Sequence, residues 1–463
     1  MKKFLRFLTM IVGLMLALAV PSVHGSARSS AVLTMTMTVA LAVVVIVLAK
    51  VLAPKWGWSA GGRRVVQCGG VNISLTSGGL GGTLQTADGV VGFVMTGVSE
   101  GGGYTLGTPI LVTGMANLVT QGITAANNPY ATRHMQEFYN QAGDGADCYL
   151  MLVANTMTVA VMALNSNASG VVKLLNFAAG AIKVVGLLAD DAAIHTGGGT
   201  ITITNGMNAD CYTAASNLKT TINGYVAAKQ PLRGLVGCTS YAGVAANLVN
   251  ETAGTSNNRV GFVIGDTQIY DATYTSAAMG LCLGTIASLP VQRKISRVRN
   301  GALTNNAAYL ASVPLVCTNA DIATLIGKGF ITFTAYAQNA GFYWSADPML
   351  TQTTDDFQFL ARGRVIDKAY IIAYNTYLQE VDNELPLNTD GTGTMVSTFV
   401  AYLQNEIIEA IGNAMLPGKE ISGVSCFIDP SQDVVTANEV TIVLGITPVG
   451  YSDVINISLG FQM

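Results

Sequence analysis

The chain closes on a strict alternation, in which Ile455, Ile457, Leu459 and Phe461 are separated by Asn456, Ser458 and Gly460. A period of two places the apolar side chains on one face of a strand and the small polar ones on the other. A half-apolar strand at the end of a chain has two uses. It completes a sheet in its own molecule, or it supplies an edge to another, because unpaired backbone groups and a bare apolar face both cost free energy.

Two amphipathic segments precede it. Thr354 and Asp355 stand where a helix N-cap is expected, and residues 357–381 then carry Ile366, Ala369, Tyr370, Ala373 and Tyr377 at helical spacing. A second helix is predicted from Phe399, Leu403, Ile407, Ile411 and Ala414, ending at Pro417 and Gly418, where glycine is expected to take the left-handed cap. The period then changes to two at Val440, Ile442, Leu444 and Ile446. Arg362, Arg364, Asp367 and Lys368 put mixed charge on the first helix. A solvated face is the default for such a run, and a charged contact with a neighbouring subunit is the sharper reading.

With 463 residues, core size is not limiting. Charged residues are only 11% of the chain and the net charge is −3, so no basic footprint for nucleic acid is present. A surface covered by Ser, Thr, Asn and Gly suits a protein largely buried in an assembly. The seven cysteines are scattered without a CxxC pair, which points to buried free thiols rather than a disulfide framework or a zinc site. No cofactor motif is found.

The first sixty residues differ from the rest. Lys2, Lys3 and Arg6 precede an apolar run at 7–20 and then small residues suited to cleavage, the layout of a signal peptide. Residues 31–49 are a second uncharged run, which as a helix spans about 28 Å and so matches a bilayer core. Lys50, Lys55, Arg63 and Arg64 follow it. If both runs insert, the positive-inside rule leaves the body in the cytoplasm. The chain is accordingly divided into a hydrophobic leader and linker at 1–64, an N-terminal core at 65–153, a variable inserted region at 154–223, a middle α/β part at 224–343 and a C-terminal domain at 344–463.

Along the body, Val71, Ile73 and Leu75 alternate with Asn72, Ser74 and Thr76 as a short strand. Residues 89–95 read as a buried strand and 109–112 as another. Asn128 and Pro129 open a helix that Gly143 ends, and residues 148–153 resume as a strand. Further strands are predicted at 200–204 and 260–264, and a small-residue helix at 276–286. Without a regular βαβ alternation, this mixture favours an α+β fold.

Three local patterns invite a chemical reading. Gly97, Ser99 and Gly101 match the GxSxG hydrolase elbow, with His134 and His195 as the only histidines of the body that could act as base. Gly102, Gly103 and Pro109 follow too closely for the helix that the elbow needs, so a glycine-rich loop is the expectation and a serine hydrolase the remote alternative. The glycine-rich run at 77–82 lacks the G-K-[ST] ending of a phosphate loop. Asp190 with Asp191, and Asp355 with Asp356, are adjacent carboxylates better suited to capping than to shared catalysis.

Several segments taken together resemble the contractile tail sheath family, specifically the Mu-like phage sheath proteins and their relatives in injection systems. Trp344 with Asp347-Pro348-Met349, Asp355-Asp356-Phe357 and Arg364-Val365-Ile366-Asp367-Lys368-Ala369 are similar to the family's entry into its long C-terminal helix. Its closing strands are matched at 420–424, 428–434 and 446–450, and its N-terminal half at 88–92, 108–112 and 128–139.

The resemblance implies a multi-domain α+β fold and structural work without catalysis. Subunits of that family stack as six-membered rings around a tail tube, and terminal strands complete sheets in neighbouring subunits. Here Val71, Ile73 and Leu75 at one end, and Ile455, Ile457, Leu459 and Phe461 at the other, would be the linking strands. The implied partners are further copies of the chain, the tail tube protein, and the baseplate and tail terminator proteins. The implied location is a virion tail or injection-system sheath assembled in the bacterial cytoplasm. The leader departs from the family's pattern, and the alternative is a membrane-tethered or exported self-assembling surface protein anchored through 31–49.

Overall fold

A computed structural model of the chain describes residues 87–99, 103–254 and 256–460. The predicted signal and membrane segments, the strand at Val71, Ile73 and Leu75, the glycine run at 77–82, and Phe461 lie outside the described residues. Among the described residues no helix is long and apolar enough to cross a membrane.

Apolar runs too short for helices build the main sheet. Its strands are β1 (Val91–Gly97), β2 (Ile110–Val112), β3 (Cys148–Ala154), β4 (Val184–Leu188), β5 (Arg233–Gly237), β6 (Val260–Val263) and β7 (Phe330–Ile331). They lie in the order β7-β6-β5-β4-β1-β3-β2, all parallel except β2 against β3. Every residue of β1, β4, β5 and β6 is buried. Continuous apolar sequence is what a parallel strand covered on both faces requires.

Helices cover both faces. On one side lie α1 (Pro129–Ala142) and α4 (Met279–Ser288), and on the other α2 (Val171–Ala178) and α3 (Ala209–Ala227). Side chains of β1 divide accordingly, with Phe93 edge-on to His134 of α1 and Gly92 facing Leu174 of α2. Helices α1 and α4 approach very closely. A Cβ on Gly280 would stand 2.0 Å from the His134 carbonyl oxygen and one on Gly284 2.6 Å from that of Phe138, so glycine at this spacing is a requirement of the packing.

The C-terminal lobe comprises α5 (Leu360–Tyr377), α6 (Ser397–Met415) and the antiparallel hairpin β8 (Ile421–Ile428) with β9 (Ile442–Pro448). Ile407, Ile411 and Met415 of α6 pack with Val365, Ala369 and Ile421, and Val400 and Leu403 with Ile428 and Val434. Burying each of the Val, Leu, Ile and Met side chains among these is worth about 1.5–3 kcal/mol.

The mixed α+β composition with several sheets agrees with the sequence reading, but four local expectations are corrected. The main sheet is built of parallel crossovers, hidden in the sequence because its helices and strands vary in length. Residues 154–223, read as an inserted region, contribute β4 at the centre of the sheet and α3 across one face. Helix α5 starts at Leu360 rather than 357, because Asp355 closes a local turn by accepting the Phe357 N–H at 2.7 Å, while the Ala361 N–H is capped by Asp347 Oδ2 at 3.1 Å. Beyond α6 the left-handed residue is Lys419 (φ 53), not Gly418. The alternating run at 455–460 pairs with no strand among the described residues.

Candidate functional site

The joint between sheet and C-terminal lobe is built from the charges of α5. Arg233, the first residue of β5, is fully buried and donates through Nε to Asp367 Oδ2 at 2.7 Å, while Arg259 Nη1 reaches Asp367 Oδ1 at 2.6 Å. Arg364 is buried and donates from Nη2 to the carbonyls of Asp88 (3.2 Å) and Leu289 (3.1 Å). Its burial lowers the guanidinium pKa to about 10, against the opposing pull of Asp88 and Asp347. Lys368 Nζ bridges Asp88 Oδ2 (2.7 Å) and Glu420 Oε2 (2.8 Å), linking the sheet's entry to the lobe's hairpin. Burial works against the charge on Lys368, and its two carboxylate partners outweigh that and raise its pKa. A cavity of about 10 Å³, room for a single water, lies among Asp88, Lys183, Arg364 and Lys368.

The expectation of a solvated charged face is therefore corrected for α5. Of the four charges offered for subunit contacts, Arg364, Asp367 and Lys368 are engaged inside the chain. Arg362 lies over the rings of Phe359 and Tyr451, at 5.5 Å and 6.0 Å from their centroids.

Those two rings mark the second feature, the root of the C-terminal arm. The Tyr451 hydroxyl donates to the Gln292 carbonyl at 2.7 Å, and Lys294 Nζ meets Asp453 Oδ1 at 2.7 Å while sitting 3.3 Å from the Phe359 ring centroid. Beyond this clamp nothing among the described residues covers the arm. Val454, Ile455, Ile457 and Leu459 are 75%, 75%, 80% and 97% exposed, so these apolar side chains of the alternation are not buried among the described residues. Beside the root, Asp347 is buried with Oδ1 unpartnered. Burial pushes its carboxyl up to about 6, with Lys294 opposing and Asp453 adding to the rise. None of Lys294, Asp347, Phe359, Tyr451 and Asp453 was singled out from sequence as an anchor. Tyr451 and Asp453, just ahead of an exposed alternating run, were the available signal.

The hairpin of β8 and β9 is the complementary feature. Its two strands pair only with each other among the described residues, which leaves both outer edges open. Phe427 and Val443 face each other across it and are 58% and 60% exposed.

The hydrolase pattern is not assembled. Ser99 is exposed and donates to the Tyr104 carbonyl at 3.1 Å. His134 is buried beside Arg133 and Glu137, where burial first and the Arg133 charge second lower its pKa, and His195 packs on Tyr274. Asn128 is the N-cap residue of α1 as expected, and its side chain ties down the loop after β1, accepting from the Val98 N–H at 2.8 Å and donating to the Val98 carbonyl at 3.1 Å. Asp190 caps the helix Asp191–Thr196 as expected, and Asp191 accepts from Asn208 and Ser240.

Two family descriptions cover this architecture: DUF2586, N-terminal domain, matches residues 68–347, and DUF2586, C-terminal domain, matches residues 356–463. The chain belongs to the DUF2586 family. The gap between the two family domains, 348–355, falls where the chain passes from the sheet to α5. No curated protein matches the chain. Among solved structures it is similar to a chain of the anti-feeding prophage (AFP) baseplate, 6-fold symmetrised, with a TM-score of 0.54 at 13% identity over 86% of this chain and 100% of that one. It is similar to the AFP helical sheath in its contracted state, with a TM-score of 0.53 at 13% identity over 86% and 99%. A third likeness is to the sheath complex of an extracellular contractile injection system, PVC, also contracted, with a TM-score of 0.50 at 13% identity over 86% and 98%. This DUF2586 chain thus has the fold found in sheaths of contractile injection systems.

Proposed function

We propose that this chain is a structural subunit of a contractile tail sheath, polymerising as stacked rings around a tube and shortening to drive that tube through a target envelope. The observation that carries the proposal is the arm at 454–460, extended, alternating and uncovered beyond a clamped root, on a fold similar to that of sheath chains. In the assembly the arm adds to an open edge of the β8–β9 hairpin of a neighbouring copy. Burying Ile455, Ile457 and Leu459 contributes about 1.5–3 kcal/mol each, and each strand hydrogen bond about 1 kcal/mol net. Val71, Ile73 and Leu75 form the second linking strand. Such links persist while subunits shift as rigid bodies between two packings, so contraction needs no cofactor or nucleotide. The tail tube protein, baseplate and tail terminator are the further partners, and the subunit works without catalysis in a virion tail or injection-system sheath assembled in the bacterial cytoplasm.

Negative-stain electron microscopy of the concentrated protein tests this. Rings or hollow tubes are expected from the intact body, and deletion of 454–463 should leave folded, non-polymerising monomers. A truncated protein that still forms tubes would refute strand exchange through the arm.

A further inference from the structure

Charge is divided unevenly along the chain. From Leu378 onward the sequence holds eleven carboxylates against one cation, Lys419, and with chain totals of 27 and 24 the rest holds 16 carboxylates against 23 cations. Part of this excess, Glu406 and Glu409, lies on one face of α6 beside Glu380. Tyr402, Glu406 and Glu409 follow at helical spacing on that helix, and the Tyr402 hydroxyl, 48% exposed as a residue, donates to Glu380 Oε1 at 3.2 Å. Glu406 keeps one oxygen unpartnered, and its pKa is raised by partial burial and then by the nearby Glu380 charge. Two carboxylates crowd one another here with no cation between them among the described residues.

The matching cations lie at the arm's root. Arg293, Arg297 and Arg299 make no ion pair among the described residues, and Arg297 and Arg299 are exposed. Burial and the neighbouring Arg297 charge both lower the Arg293 pKa, so this loop has an excess of positive charge as α6 has of negative. The same loop holds the arm, through Gln292 to Tyr451 and Lys294 to Asp453. Seven residues of extended arm, 454–460, reach about 23 Å. An arm seated on a neighbour's hairpin therefore carries its own arginine loop to within that distance of the neighbour's acidic lobe.

We propose that the Arg297 and Arg299 loop of one copy docks on the Glu380, Tyr402, Glu406 and Glu409 face of the next copy, as a charged contact that accompanies arm exchange. This rests on the assembly reading above. The contact steers the arm to its receiving lobe and sets which copy it enters, since complementary charge fixes register and opposes like-charged arrangements.

Charge reversal tests it, with assembly followed by light scattering and electron microscopy. Glu406→Lys with Glu409→Lys, and separately Arg297→Glu with Arg299→Glu, are each expected to raise the protein concentration needed for assembly about tenfold or more. The fourfold variant carrying both sets should return close to the wild type. The shape-preserving Glu406→Gln with Glu409→Gln should weaken assembly and reduce its salt sensitivity, which covers the case in which a reversed variant misfolds. Reversed variants that assemble like the wild type would overturn the contact, as would assembly insensitive to salt between about 50 and 500 mM. If acidic reversal blocks assembly and the fourfold variant does not restore it, the partner is a basic surface on a different protein and the proposal fails. A wild type that never assembles sinks the sheath reading itself, an outcome distinct from all of these.

Discussion

Arg233 and Asp367, 134 positions apart, form a two-pronged ion pair inside the molecule, Nε to Oδ2 at 2.7 Å and Nη2 to Oδ1 at 3.1 Å. The pair joins the first residue of β5 to the middle of α5, so it orients the lobe that bears the hairpin relative to the sheet. Burial lowers the Arg233 pKa, with Asp367 opposing, and Nη1 and Nη2 also donate to the carbonyls of Asn258 (2.7 Å) and Gly363 (3.0 Å). Asp367→Leu alone should cost about 3–5 kcal/mol, because it strands the buried Arg233 guanidinium, whereas Arg233→Met should cost less because Asp367 keeps Arg259 at 2.6 Å. The double variant should lose less than Asp367→Leu alone, since it removes the buried Arg233 charge as well and leaves only the partly exposed Arg259 without its carboxylate. Denaturant unfolding of the three variants checks the order.

Gly280 decides how closely α1 and α4 approach. Gly280→Ala would place a methyl 2.0 Å from a backbone oxygen that cannot move aside without separating the helices, so a loss of several kcal/mol is expected, at the upper end of what overpacking costs. Gly224, exposed within α3 with nothing near its absent Cβ, is the control. Gly224→Ala should stabilise by up to about 1 kcal/mol. Thermal melting of both variants separates a packing requirement from helix propensity.

How far these features could be read in advance depended on whether their causes were local. Asn128, Pro129 and Gly143 delimit α1 within its own sequence, and the run from Val91 to Met95 needs no partner to look buried. Strand β4 was missed because its five residues, split by Gly186, sit in a stretch rich in small and polar residues, and only pairing with β1 and β5 makes it central. The start of α5 was misplaced because its cap, Asp347, lies fourteen positions upstream of Ala361. Helical spacing placed Arg364 and Asp367 on α5 but could not reveal that Leu289, Asp88 and Arg233 surround them. The alternation at 455–460 is legible, whereas its exposure among the described residues depends on what packs around the arm and shows only in the fold.

Asp347 gives the joint a pH signature. Its folded pKa of about 6 lies above the ordinary carboxylate range, so between about pH 4 and 6 the folded state holds a proton that the unfolded state has released. That group's contribution to stability is therefore greatest below pH 4, falls as pH rises to 6 and is constant above. Asp347→Asn removes the titration while keeping an oxygen for the Ala361 N–H. Relative to the wild type, the variant should gain up to about 3 kcal/mol in stability from pH 4 to pH 7. A difference independent of pH, measured by denaturant titration at each pH, would contradict this assignment.

The arm's root should be separable from the arm's grip. Lys294 is nearly buried while its partner Asp453 is half exposed, so the ion pair itself contributes at most about 1 kcal/mol, and the Lys294 ammonium over the Phe359 ring adds a comparable amount. Losing Tyr451→Phe and Asp453→Asn together should leave the unfolding transition almost unmoved, since neither residue supports the sheet or the lobe core. It should, however, free the arm from one direction of departure. Hydrogen exchange is the appropriate readout: in monomers, 454–460 should exchange rapidly in both proteins, while protection at 451–453 falls in the variant. On assembly the wild-type arm should become protected as its backbone pairs with a neighbour. The variant should reach the same protection only at higher protein concentration, because a swinging arm lowers the effective concentration of its strand at the receiving edge. Equal concentration dependence for the two proteins would mean that the clamp plays no part in assembly and only tidies the monomer.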